Sequence, residues 1–232
     1  MEYHLFENII QKRRTSLKAD NNNYVSIDKD VLDFYKKILF GSYNDTFEAA
    51  CFRAYRDFNR TLNLKEAGIN DPAKRNNLRQ DVTKIIKKSV DELLGSNCKD
   101  QNSFDRWHET TTTTIRSYYR KEKVKFTYGH AQKWLNMTLK YLYILNGCDF
   151  KNLIDFFHAP VDNYILDAAN ASLGVERPCK DAWSRWDDYT LYLNYQNQLR
   201  EKLRGQSLFR WEFHAWNSYS QQYNYQSLCL RQ

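Results

Sequence analysis

The sequence predicts an all-α fold, on three observations. Apolar residues recur at helical intervals along most of the chain. Gly and Pro number only 7 and 3 in 232 residues, too few for the turns of a sandwich or barrel of many short strands. Residues suited to capping, among them Asp45, Asp71, Ser103 and Thr127, sit where the periodic runs begin. With 42% hydrophobic residues the chain has the means to bury a core, which excludes wholesale disorder. Its length suits one large domain, or one domain with two lobes sharing a cleft.

Tyr3 to Arg14 reads as a short amphipathic helix with Leu5, Phe6, Ile9 and Ile10 on one side, followed by a polar loop at Asn21, Asn22 and Asn23. A helix from about Asp28 to Phe40 stops at Gly41. Asp45 and Glu48 have capping-box spacing and open a run carrying Phe47, Cys51, Ala54, Tyr55, Phe58 and Leu62. Asp71-Pro72 starts a helix whose stripe is Leu78, Val82, Ile85, Ile86, Leu93 and Leu94, with Gly95 as its stop. Ser103 caps a helix through Trp107, Thr111, Ile115, Tyr118 and Tyr119, in which the threonines Thr110 to Thr114 pull toward strand. Thr127 caps a helix with Trp134, Met137, Tyr141 and Leu145 on its core face, ended by Gly147. After the turn His158-Ala159-Pro160-Val161, Asp162 opens another helix. A long helix then runs from Asp181 to Leu203, and the strongly aromatic stretch Phe209 to Trp216 leads to a Ser-, Gln- and Tyr-rich end expected to fray.

The net charge of +7 permits a polyanionic partner without demanding one. Basic residues cluster at Lys74 to Lys88 (with Lys84, Lys87 and Lys88), at Arg116 to Lys125 (with Arg120, Lys121, Lys123 and Lys125), and at Arg200 to Arg210. Each cluster alone suits a solvated helix face; together they suggest contacts to a DNA backbone. No apolar stretch approaches the ~18 residues of a membrane span, and the N-terminus lacks the order of a signal peptide. Five scattered cysteines without a Cys-x-x-Cys pair read as reduced thiols of a cytoplasmic protein, with no metal and no cofactor expected.

The sharpest local signal is Thr127-Tyr128-Gly129-His130-Ala131-Gln132-Lys133 followed by Ala159-Pro160-Val161-Asp162. Small residues at Gly129 and Ala131 would let backbone N–H groups at a helix start approach a phosphate, and Lys133 lies one turn in. Asp162 follows a rigid turn at a helix N-terminus, where the dipole favours its ionised form. An amine and a carboxylate brought together from adjacent helices can do nucleophilic or cation-stabilising chemistry. The simpler readings are an N-cap for Asp162 and a surface lysine for Lys133, with Lys140 as a rival amine.

These residues resemble the helix-hairpin-helix DNA glycosylases, in particular those acting on 8-oxoguanine. Gly129 to Lys133 is similar to the Gly-x-Gly-x-Lys end of that hairpin, and Pro160-Val161-Asp162 to the segment with the catalytic aspartate. The resemblance covers roughly residues 126 to 166. Ala131 stands in place of the second glycine, no Pro precedes Gly129, Asp162 lies 29 positions after Lys133, and no iron–sulfur cysteines follow. It implies a two-lobed fold with N-terminal helices over about 1–100 and a hairpin-containing catalytic lobe over about 101–232. It also implies a DNA partner, no obligate protein partner, and cleavage of an N-glycosidic bond. Asp162 would stabilise the sugar cation; Lys133 would be the Schiff-base nucleophile of an enzyme that also cleaves the strand, or, in a monofunctional enzyme using water, would serve electrostatics. Tyr128, Gly129, His130 and Ala131 would grip phosphate, and the flipped base would meet aromatic or imidazole side chains, with Trp107, His108, Trp134, Tyr164, Trp211 and His214 as candidates. A bacterial antiphage enzyme removing bulky modified bases is the narrower expectation. The alternative is a non-catalytic helical DNA-binding protein. A helical ribonuclease ranks last, because Arg210 and His214 are too close together for its Arg-x4-6-His signature.

Overall fold

The computed structural model describes residues 29–41, 45–96 and 98–229. Among them are eight α-helices and no strand. They are α1 (Lys29–Phe40), α2 (Thr46–Phe58), α3 (Pro72–Gly95), α4 (Gln101–Lys121), α5 (Tyr128–Ile144), α6 (Asn163–Leu173), α7 (Tyr189–Leu203) and α8 (Leu208–Cys229). Short 3-10 turns lie at Asn59–Thr61, Lys151–Phe156 and Trp183–Arg185. The helix expected at Tyr3 to Arg14 and the Asn21 to Asn23 loop lie outside the described residues.

Most helix starts are set by side-chain caps. Asp45 accepts from the Phe47 amide, Asp71 from Ala73 with Pro72 behind it, and Thr127 forms a reciprocal capping box with His130. Two expected boundaries move. Asp100, not Ser103, caps α4, and its carboxylate accepts the Ser103 amide. The helix expected from Asp181 breaks instead into the Trp183–Arg185 turn, and α7 begins behind the Asp188 cap. The threonine run remains helical because its hydroxyls find local acceptors. Thr110, Thr111, Thr112 and Thr114 each donate to the carbonyl four residues back, at 2.8–2.9 Å, while Thr113 pairs with the Tyr128 hydroxyl.

The centre of the fold is α5. Every residue from Gly129 to Leu142 is buried, so this helix is surrounded rather than laid on a surface. It packs on α2, α4, α7 and the Trp183–Arg185 turn, while α8 covers α6. The closest approach is at Gly129, where a Cβ would lie 2.0 Å from the Trp183 carbonyl oxygen. That residue is glycine so that the turn can seat against the start of α5. A helix buried all round must also satisfy its polar side chains, and those of α5 build the site.

Candidate active site

Gln132, one turn into α5, grips the extended segment that precedes α6. Its Nε2 donates to the Val161 carbonyl at 2.9 Å, and its Oε1 accepts the Val161 N–H at 3.1 Å. Gln196 of α7 treats Ala159 the same way, at 2.9 and 3.1 Å. The segment is thereby held on two sides, and Asp162 leaves it in a fixed direction as the N-cap of α6.

Asp162 Oδ1 accepts the Ile165 amide at 3.0 Å, and Oδ2 accepts from Lys133 Nζ at 2.6 Å. Lys133 also donates to the Pro160 carbonyl at 3.4 Å. The lysine side chain is 6% exposed and the aspartate 17%, so the pair meets solvent mainly through the carboxylate. The amine and carboxylate singled out in the sequence are therefore in direct contact.

The pair lies in a cleft of about 360 Å³, within the ~300–1,000 Å³ range of small-molecule sites. Its walls are Arg53, Arg56, Asp57 and Arg60 from α2 and the turn after it, and Lys133, Met137, Lys140 and Tyr141 from one face of α5. Asp162 and Tyr164, and Glu212 and Trp216 of α8, complete the lining. Lys140 is spoken for: both Glu212 oxygens accept from its Nζ, at 2.9 and 2.7 Å, and the amine sits 4.4 Å from the Phe213 ring centre. Burial pushes the Asp57 carboxyl up from its usual range, opposed by nearby Arg53, and the Tyr141 hydroxyl donates to it at 2.7 Å. Tyr164 and Trp216 rings lie 6.4 Å apart at the rim. A second depression of about 380 Å³, between α2 and α3, has no carboxylate in its lining.

The remaining candidates fall elsewhere. Of the six proposed base-contacting residues, Tyr164 alone lines the cleft. Trp134 is a core residue whose indole donates to the Cys51 carbonyl, and Trp107 donates to the Ser89 carbonyl. His108 is buried between the Tyr189 hydroxyl and Asn136, and burial beside His158 holds it well below the usual histidine range. Trp211 packs at the edge of the core, and His214 points to solvent from α8. The proposed phosphate grip is also corrected. The Gly129 amide donates to the Trp186 carbonyl, the His130 amide to Thr127 Oγ1, and the Ala131 amide to the Thr127 carbonyl, while Tyr128 bonds Thr113. His130 is buried among Phe58, Phe126 and Trp183, and burial pushes it down to about 4.

The basic clusters are partly paired with carboxylates at home. Lys84 pairs with Asp81, Lys87 with Asp45, Lys88 with Glu92, and Arg120 with Asp187. Lys121, Lys123 and Lys125 are exposed, but they do not line the cleft. Sequence reasoning missed Arg53, Arg56 and Arg60, although their i, i+3, i+7 spacing was there to be read beside the apolar stripe of the same helix.

Among the described residues, no group of three or more His, Cys, Asp or Glu is arranged to hold a metal ion, and no helix is long and apolar enough to cross a membrane. No protein-family model, curated protein or solved structure matches this chain.

Proposed function

We propose that this protein is a DNA glycosylase that draws a damaged or modified base out of the helix and breaks its N-glycosidic bond. The observation that carries the reading is the Lys133–Asp162 pair at the wall of a cleft edged by arginines and two aromatic rings. On this reading the cleft lies between the two lobes of a helix-hairpin-helix glycosylase, with α2 on one side and α5, α6 and α8 on the other.

The chemistry follows from the bond. As the bond between the sugar C1′ and the base nitrogen breaks, its electron pair leaves with the base, and positive charge grows on the sugar. A fixed carboxylate beside that carbon stabilises the charge without having to reorganise. Asp162 is fixed by its cap bond and by the clamped segment before it. The departing base takes the Lys133 proton on its nitrogen, and the neutral amine bonds C1′. The C1′–O4′ bond then opens, with the amine's second proton going to O4′, to leave a Schiff base; in a monofunctional enzyme water attacks instead, and Lys133 acts through its charge. The flipped base stacks against Tyr164 and Trp216.

The second reading is a non-catalytic DNA-binding protein, favoured by the fact that Asp162 already has two structural partners, the Ile165 amide and the Lys133 amine. Duplexes carrying a panel of modified bases, bulky ones included, are incubated with the protein and then heated in alkali to reveal abasic sites. Strand breaks at one modified base support the glycosylase. Salt-sensitive binding without breaks on any duplex supports the binding protein.

A further inference from the structure

We propose that Arg56 and Arg60, with Arg53 behind them, form the ridge on which the cleft receives DNA phosphates. This deepens the glycosylase reading and rests on it. The carboxylates of the cleft are all engaged: Asp162 by Lys133, Glu212 by Lys140, and Asp57 by Tyr141 and, at 3.7 Å, Arg53. Arg56 and Arg60 are exposed, line the cleft, and have no ion-pair partner among the described residues. The local field of the cleft is therefore positive at its α2 edge, beside the aspartate that would meet the sugar.

Spacing adds a second argument. Arg53 and Arg56, three apart, share one face of α2, and Arg60 follows in the Asn59–Thr61 turn, so that all three line the cleft. Guanidinium groups present planar forks of N–H donors that match phosphate oxygens two at a time. The basic clusters of α3 and α4 lack this advantage where their charges are paired with their own carboxylates. At the start of α5 the Gly129, His130 and Ala131 amides are already bonded within the protein and are not free for phosphate.

The test is binding of the full chain to a labelled duplex, followed by fluorescence anisotropy over a salt series. Each phosphate contact contributes about 0.9 to the slope of log affinity against log salt. The double variant Arg56→Gln with Arg60→Gln is expected to flatten the slope by about 1.8. Arg56→Lys with Arg60→Lys retains most of it, and Lys84→Gln with Lys87→Gln leaves it unchanged. Both arginines are exposed, so the unfolding temperature should stay at the wild-type value, which separates lost contacts from lost fold. An unchanged slope in the glutamine double variant, with wild-type base release intact, overturns the ridge and leaves the glycosylase reading standing. Wild-type protein that neither binds DNA nor releases a base overturns both.

Discussion

Gln132 holds Val161 by both of its main-chain polar groups, donating to the carbonyl at 2.9 Å and accepting the N–H at 3.1 Å. Val161 is fully buried, so water cannot take over either bond. Replacing Gln132 by Met retains bulk but strands two backbone groups. Each unsatisfied group costs roughly 1–3 kcal/mol, so a loss of roughly 2–6 kcal/mol is expected from denaturant unfolding. A loss below about 1 kcal/mol would show that the clamp is not what fixes the segment before Asp162.

Gly129→Ala is expected to destabilise by more than about 2 kcal/mol, because the new methyl would meet the Trp183 carbonyl oxygen at 2.0 Å, a backbone atom. Gly95→Ala provides the contrast. Nothing lies within 4 Å of its Cβ position, at the end of α3. Restricting the unfolded chain there should stabilise by roughly 0.5 kcal/mol. Thermal unfolding of the two variants reads both signs, and equal effects would contradict the close approach at α5.

Much of the fold was legible because it is written in local chemistry. Asp71-Pro72, Thr127 and Asp162 are caps that name their own helices, and the stripe of α3 is periodic. The pairing of Lys133 with Asp162 was legible too, from a motif rather than from geometry. What could not be read was which polar residues of α5 face inward, because every face of that helix is buried. Trp134 of this helix therefore looked like a base contact, as did His108 of α4, which bonds Asn136 of α5, although tertiary partners 83 and 81 residues away in sequence, Cys51 and Tyr189, hold them in the core. The Lys140–Glu212 pair spans 72 residues, a distance over which periodicity carries no information.

That pair makes its own prediction. The side chains are 6% and 2% exposed, so removing one partner strands a buried charge. Lys140→Met alone should cost roughly 3–5 kcal/mol, and adding Glu212→Leu should recover much of it. Unfolding midpoints of the two single variants and the double variant complete the cycle. A double variant that simply sums the single losses would mean that the two groups are not coupled.

Burial pushes His130 and His158 down to about 4, the latter despite the Asp105 carboxylate beside it. The unfolded chain takes up a proton on each as pH falls through about 6.5, whereas the folded protein does so only near 4. Their contribution is thus fully present above about 6.5 and is lost as pH falls toward 4, by roughly 3 kcal/mol per histidine. Melting temperatures followed from pH 7 to pH 4 should fall steadily. A flat profile over that window would contradict the buried neutral imidazoles.

Asp162→Asn separates the carboxylate's charge from its role as a cap, because asparagine can still cap α6 by accepting the Ile165 amide while the negative charge is gone. Base release from a modified duplex is measured beside DNA affinity and unfolding temperature. A protein that stays folded and bound to DNA while base release falls by two orders of magnitude or more, to roughly a hundredth of wild type, is the predicted result. Near-normal release by Asp162→Asn would contradict the account.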